Sequence, residues 1–158
     1  MSDVMLRYAE ECDKKILLDW KNDPDTKKAS INTGDISEAQ HDEWFERTQN
    51  NPNQHLFIGF EFGGVRVGTV RFDENVTEDF VEASITVAPK LRGIGYGKKL
   101  LSRGCSHFFN NYRYDFIKAT IKKDNLRSQK LFEKVGFERS GEKDTNLIYR
   151  LRRGGLRE

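Results

Sequence analysis

The chain has 158 residues, and its 27 Lys and Arg against 25 Asp and Glu give a formal net charge of +2. Such a length suits one domain with a sizeable core, which we expect to cover residues 1–158. The two signs of charge are interspersed, and no window is apolar for long enough to span a bilayer, so we expect neither a nucleic-acid nor a membrane partner.

The first elements are a short strand and a helix. Residues 4–8 are apolar enough for a strand, and Asp13 is placed to cap the helix that follows. This helix should stop near Pro24. Its apolar residues recur at helical spacing and share one face: Ile16, Leu17 and Trp20.

A polar stretch and a second helix come next. Residues 25–35 leave room for a short helix, and residues 37–40 have the sequence of a capping box. The helix that the capping box opens should end at residues 50–53. One of its faces carries His41, Trp44, Phe45 and Thr48.

Residues 54–62 and 65–72 flank two glycines and predict a β-hairpin. The acidic segment 73–79 should link this hairpin to a third strand at residues 81–87. Alternation along that strand places Glu82, Ser84 and Thr86 on one face of the sheet.

Residues 87–98 form the most informative stretch, because they lead from a strand through a glycine-rich loop into a helix. We expect Gly93, Gly95 and Gly97 to allow positive φ and close backbone approach. The first amides of a helix lack intrahelical partners, so an anionic group such as phosphate is the natural occupant.

The C-terminal part predicts a strand at residues 116–121, a helix at residues 125–135 and two further strands at residues 137–140 and 146–151. Gly136 can terminate the helix in the left-handed conformation. Strands and helices in this order predict a mixed α/β sheet.

Cysteines and histidines point to no metal or disulfide. Cys12 and Cys105 are too few for a disulfide framework, so a reducing, cytoplasmic location is expected. His41, His55 and His107 show no ligand spacing with each other or with the cysteines, and we expect no metal.

Residues 92–97, Arg-Gly-Ile-Gly-Tyr-Gly, together with the preceding Ala88-Pro89, resemble the first signature of the GNAT superfamily of N-acetyltransferases. Residues 125–137 resemble the second signature of that family. A dinucleotide-binding motif needs a different glycine spacing, and a phosphate-binding P-loop needs a Gly-Lys-Ser/Thr that is missing. The resemblance covers essentially the whole chain.

The resemblance implies an α/β fold with a mixed, mostly antiparallel sheet of about seven strands, flanked by about four helices and splayed between strands 4 and 5. It implies acetyl-CoA as cosubstrate, with its pyrophosphate on the glycine loop and its pantetheine arm in the splay. The residues implied to bind it are Thr86, Val87, Arg92, Gly93, Ile94, Gly95, Tyr96, Gly97, Lys98, Asn125 and Phe132. Asn125 is also a natural helix N-cap, and Phe132 is also a natural core residue.

For catalysis the resemblance implies a proton acceptor on the fourth strand, and Glu82 is the candidate. The alternative is a surface carboxylate paired with Arg66 or Arg71 across the strands. Many family members carry a tyrosine proton donor where this chain has Phe132, so Ser128, Tyr149 or water would take that role.

The N-terminal half resembles the branch with amino-sugar nucleotide acetyltransferases of surface-glycan and pseudaminic acid pathways, and also ribosomal-protein N-terminal acetyltransferases. The implied acceptor is a small amine, with Asn22, Ser30, Asn32 and His41 as candidate contacts. His41 has a second interpretation as a packed helix-face residue. A peptide acetyltransferase and a non-catalytic acetyl-CoA-binding module stay open, as does a homodimer.

Overall fold

A computed structural model describes residues 3–31 and 34–157. Seven strands lie within this described part: β1 (Met5–Tyr8), β2 (Gln54–Phe60), β3 (Arg66–Asn75), β4 (Phe80–Val87), β5 (Phe116–Lys122), β6 (Glu138–Lys143) and β7 (Asn146–Arg152). They form one sheet in the order β1-β2-β3-β4-β5-β7-β6. Only the β4–β5 pair is parallel, so the mixed, mostly antiparallel sheet expected from the sequence is confirmed.

The described residues contain five α-helices: α1 (Lys14–Lys21), α2 (Pro24–Ala29), α3 (Glu38–Asn50), α4 (Tyr96–Asn111) and α5 (Leu126–Val135). One more helix is present than the four or so expected, because the polar stretch forms α2. Asp23 caps it by accepting a hydrogen bond from the Thr26 amide at 3.1 Å, and proline fills its first position.

The hairpin is longer than its sequence indicates. β3 continues to Asn75, so the first part of the acidic segment is strand instead of a link. Glu74 is accommodated there because its carboxylate accepts hydrogen bonds from Tyr114, at 2.7 Å, and lies 2.6 Å from His55 Nε2. The acidic residues therefore did not mark the end of the strand, because partners distant in sequence satisfy the hydrogen bonds of Glu74.

The sheet opens between β4 and β5. Their ladder has one pair of facing residues, Glu82 and Lys118. Beyond that pair β4 remains bonded to β3 as far as Val87, while β5 continues along β7. The two strands thus diverge toward their carboxyl ends and leave a wedge-shaped gap with backbone groups of β4 on one side.

Helices cover both faces of the sheet. α4 and α5 pack on the larger core, which includes Leu100, Phe108 and Val135. The opposite face carries a smaller apolar cluster under α1 and α3, with Leu17 and Phe45 at its centre. The gap between β4 and β5 therefore lies between two helical layers.

A buried carboxylate ties the N-terminal segment to β3. Asp13 lies at the N-cap of α1, but its side chain makes no capping bond there. It binds Arg7 at 2.7 and 2.9 Å and Arg66 Nε at 2.7 Å, and it accepts the Glu10 amide. The side-chain cap predicted for Asp13 is therefore wrong, because the guanidinium groups of Arg7 in β1 and Arg66 in β3 hold its carboxylate instead.

Candidate functional site

The loop that leads into α4 exposes backbone amides. Gly93 has φ 78° and Gly95 has φ 100°, conformations that favour glycine. A Cβ on Gly93 would meet nothing within 4 Å, so this part of the loop faces open space. Gly93, Ile94, Gly95 and Lys98 are all exposed around the start of the helix. The arrangement is suited to an anion such as a pyrophosphate, as expected from the sequence.

Gly97 differs from the other loop glycines. It lies within α4 and has no positive φ, so the positive φ expected for it from the sequence is wrong. A Cβ at Gly97 would lie 2.9 Å from Leu131 Cδ2 and 3.4 Å from Val87 Cγ2. A side chain here would require Leu131 to move, because α4 packs closely on α5 and on the end of β4.

The side chains of Arg92 and Tyr96 are engaged by other parts of the protein. Arg92 Nη1 lies 3.0 Å from Asp23 Oδ2, and its Nη2 donates to the Thr26 hydroxyl. Arg92 therefore joins the glycine loop to the start of α2. Tyr96 is buried, and a hydrogen bond to Glu61 raises its pKa.

Residues of the two signatures lie on β4 and on α5, the helix that follows β5. Thr86 and Val87 end β4, and Asn125 and Phe132 belong to the α5 region. Asn125 accepts a hydrogen bond from the Ser128 amide at 3.2 Å, which is the N-cap interaction expected of it. Phe132 is buried and packs edge-on against Phe137, with ring centroids 5.0 Å apart.

Glu82 lies where β4 and β5 separate. Its carboxylate accepts a hydrogen bond from the Thr120 hydroxyl of β5. The alternative pairing expected across the strands is absent among the described residues, because Arg66 binds Asp13 and Arg71 lies 3.1 Å from Asp73. Glu82 therefore bridges the two strands just below the gap.

The candidate proton donors differ in their surroundings. The Ser128 backbone is held by Asn125, and the residue is partly exposed at the start of α5. Tyr149 is buried and donates its hydroxyl to Glu133 at 2.9 Å. Burial and this hydrogen bond raise its pKa to about 12, so Tyr149 stays protonated at neutral pH and is committed to a structural partner.

A small pocket of about 60 Å³ opens on the face that carries α1 and α3. Cross-strand neighbours form its floor, since Thr69 faces Thr86 and Arg71 faces Ser84. Its complete lining is Leu17, Trp20, Lys21, Trp44, Leu56, Thr69, Arg71, Ser84, Ile85 and Thr86. The C-terminal end of β4 thus contributes both to this pocket and to the gap beside β5.

Lys21 is the most unusual residue of the pocket. Its Nζ lies 2.9 Å from the centre of the Trp44 ring and 3.4 Å from His41 Nδ1. Burial, with a smaller contribution from the positive charge of Arg71, lowers its pKa to about 7. At neutral pH this amine is therefore deprotonated in a substantial fraction of molecules.

The acceptor residues expected from the sequence lie mostly elsewhere. Asn22 is held by Ile36, whose carbonyl and amide both bond its side chain, and Ser30 caps the end of α2. His41 is buried against Trp44, as the packed interpretation expected. Asn32 lies outside the described residues.

The pocket residues missed from the sequence are Lys21 and Arg71. A signal existed for Lys21, because it is four residues after Leu17 and so lies on the apolar face of α1. A charged residue on the buried face of a helix is unusual. Arg71 left no comparable signal, since it alternates normally along an antiparallel strand.

The described residues contain neither a cluster of metal ligands nor a membrane-spanning helix. No group of three or more His, Cys, Asp or Glu side chains there could hold a metal ion. Within the same ranges, no helix is long and apolar enough to cross a membrane.

The splayed sheet and the glycine loop before α4 define an acetyltransferase. The acetyltransferase (GNAT) domain family matches residues 3–138, and the chain belongs to this family of acetyl-CoA-dependent N-acetyltransferases. Acetyltransferase PseH of Campylobacter jejuni is 25% identical over 123 residues, which cover 78% of this chain and 75% of PseH.

Solved structures share the fold. Spermidine N-acetyltransferase from Vibrio cholerae, in complex with CoA and spermine, gives a TM-score of 0.83 at 18% identity, covering 94% of this chain and 93% of that one. AAC(6')-Ib in complex with ribostamycin and coenzyme A gives 0.83 at 20% identity, covering 94% and 92%.

Proposed function

We propose that the protein transfers the acetyl group of acetyl-CoA to a primary amine of a small acceptor, an amino-sugar nucleotide or a similar molecule. The observation that carries this proposal is that the C-terminal end of β4 borders both the gap and the pocket. Its backbone borders the gap beside β5, and its side chains Ser84 and Thr86 line the pocket on the α1 side. A thioester in the gap would meet an amine in the pocket at this strand.

The structure fits acetyl-CoA in three places. The exposed amides from Gly93 to Lys98 suit the pyrophosphate, and the unpaired edge of β4 near Thr86 and Val87 suits the amides of pantetheine. A β4 amide would polarise the thioester carbonyl there. Arg92, Tyr96, Gly97, Asn125 and Phe132 would shape the site, Gly97 through packing and Arg92 through its link to α2.

The charge of the pocket supports the acceptor class. Its lining contains Lys21 and Arg71 and no carboxylate. A polyamine or an aminoglycoside is a polycation that would find no carboxylate partner there, whereas a nucleotide-linked sugar carries negative charge and needs none. The acceptor proposed from the sequence is therefore favoured over spermine, although the spermidine enzyme shares the fold.

The remaining assignments belong to the same proposal. Glu82 and Ser128 are the sequence-derived candidates for proton transfer, and the sequence-derived acceptor contacts Asn22 and Ser30 lie outside the pocket lining. A reducing, cytoplasmic location accords with the free thiols of Cys12 and Cys105. A homodimer through the sheet edges would use β1, because β6 is exposed and charged along its length.

Binding of acetyl-CoA is tested first, by calorimetric titration of the wild type and of Gly93→Leu. A leucine there would be strained at φ 78° and would project over the exposed amides. Gly154→Leu is the matched control, because Gly154 has φ 84°, open surroundings and a place after β7, whose last residue pairs with the start of β5. We expect only Gly93→Leu to lose at least tenfold in affinity, about 1.4 kcal/mol.

The acceptor class is tested with three amines: a uridine-diphosphate-linked amino sugar, spermine and a peptide with a free N-terminus. We expect turnover of the amino sugar and inhibition by uridine diphosphate. Preference for the peptide would favour the peptide acetyltransferase, and tight acetyl-CoA binding without turnover of any amine would favour a non-catalytic module.

A further inference from the structure

Lys21 is an amine held among uncharged and cationic groups. Its described contacts are the Trp44 ring and His41 Nδ1, and Arg71 is the charged group that most affects it. No carboxylate within the described ranges forms an ion pair with it. The Trp44 ring favours the cationic form through a cation–π interaction, but no carboxylate there holds the amine permanently as a cation.

The orientation of His41 determines what Lys21 can do. His41 Nε2 lies 2.7 Å from the Lys14 carbonyl oxygen, which only accepts, so Nε2 carries the ring proton. Burial lowers the pKa of His41 and keeps the ring neutral. Nδ1 then accepts a hydrogen bond from Lys21, which leaves the nitrogen lone pair of a neutral Lys21 free for another proton.

The position of Lys21 relative to the acceptor differs from that of Glu82. Lys21 lines the pocket together with Ser84 and Thr86. Glu82 is absent from that lining and its carboxylate is engaged by Thr120. An amine bound in the pocket would therefore meet Lys21 before it met Glu82.

We propose that Lys21, oriented by His41, is the proton acceptor for the incoming ammonium group of the acceptor. The inference rests on the proposed function. The ammonium gives one proton to Lys21 Nζ, and the neutral nitrogen then bonds to the thioester carbonyl carbon as the carbon–sulfur bond breaks. The second proton of that nitrogen goes to the leaving sulfur, and Lys21 returns its proton to solvent.

The charges around Lys21 are consistent with this role. Arg71, on β3, lowers its pKa and is partly neutralised by Asp73. Lys14, on the same helix, is paired with Glu11 and Asp42, and Glu82 lies farther along the β4 face. A pKa of about 7 suits a group that must take a proton and release it near neutral pH.

The first test measures Lys21 directly, without any acceptor. An NMR titration of isotope-labelled lysine side chains would follow the protein, and Lys21→Met would identify the Lys21 signal. We expect one lysine to lose its proton near pH 7, and His41→Phe to alter that titration. A Lys21 that titrates above pH 9 would overturn the proposal, whatever the enzyme does.

The second test is kinetic and uses the best of the three acceptor probes. We expect Lys21→Met to lower kcat/KM by at least about 100-fold, to remove the ionisation near pH 7 from its pH profile and to leave acetyl-CoA binding intact. In a Cys12→Ser background, Lys21→Cys treated with 2-bromoethylamine restores an amine at this position and should recover most of the activity.

The two proposals can fail separately. Turnover of a probe by wild type, with kcat/KM unchanged in Lys21→Met and abolished in Glu82→Gln, would overturn the role of Lys21 and keep the proposed function. A wild type that binds acetyl-CoA but acetylates none of the probes would remove the proposed function and the role of Lys21 with it.

Discussion

The face of the sheet under α4 and α5 and the face under α1, α2 and α3 differ in what holds them together. The first is a continuous apolar core, and its contribution to the site consists of backbone amides in a loop and along β4. The second has a smaller apolar cluster. Polar bonds between distant residues complete it, such as Asp13 to Arg66 and Asn22 to Ile36.

This difference bears on how each half of the site works. In the proposed function a backbone cradle would bind the part of acetyl-CoA that never changes, for which glycines and a helix start are enough. The pocket proposed for the acceptor is built from residues of α1, α3, β2, β3 and β4, and none of them belongs to the glycine loop. We infer that acceptor specificity lies in the second face, and four substitutions separate the two faces.

The largest expected effect is on the α4 face. A Cβ at Gly104 would lie 2.9 Å from both methyl groups of Val70, inside the core. Gly104→Val should therefore lower the free energy of unfolding by about 3 kcal/mol, measured by urea denaturation. Gly141→Val, where a Cβ meets nothing within 4 Å, should change it by about 0.5 kcal/mol or less. Similar losses for the two would show that α4 is loosely packed.

Asp13→Asn should produce the largest loss on the opposite face, about 2 to 3 kcal/mol, because Arg7 and Arg66 would lose their carboxylate. Burial alone would raise the pKa of Asp13, but hydrogen bonds from Arg7, the Glu10 amide and Arg66 lower it to about 2.

The low pKa gives this prediction a pH signature. The carboxylate stabilises the fold above its ordinary pKa of 3.8, and that contribution disappears as the pH falls toward 2. The difference between wild type and Asp13→Asn should therefore shrink across this window. A constant difference from pH 6 to pH 2.5 would contradict the role given to the ionised group.

Arg92→Ala tests the connection between the faces, since Arg92 belongs to the glycine loop and binds Asp23 at the start of α2. We expect a loss of about 1 kcal/mol in stability and weaker acetyl-CoA binding by calorimetry. In a double-mutant cycle, Asp23→Asn should add little once Arg92 is removed. Fully additive losses would mean that the ion pair contributes nothing of its own.

The smallest effect is expected at the N-cap of α3. Ser37 accepts the Gln40 amide at 3.1 Å, and Gln40 bonds back to the Ser37 amide at 3.0 Å. Ser37→Ala should cost about 1 kcal/mol in thermal or urea unfolding and leave acetyl-CoA affinity unchanged. A change in that affinity would contradict the separation of the two faces.

Several features of the fold follow from residues that lie a few positions apart in the sequence. The capping box of Ser37, the N-cap of Asn125 and the glycine loop before α4 each involve residues a few positions apart. Alternation and helical periodicity also gave the order of strands and helices, because each element must turn one apolar side to the core.

Other features depend on partners far apart in the sequence, and tertiary contacts set them. In the folded chain, Asp13 binds two guanidinium groups instead of capping α1, and β3 extends through Glu74. Gly97 is a packing position in α4, and Lys21 lies beside His41 and Trp44. The physical reason is that the stability of a buried charge depends on which groups surround it. Those surrounding groups come from distant parts of the sequence, so they are defined only once the sheet and its helices have packed together.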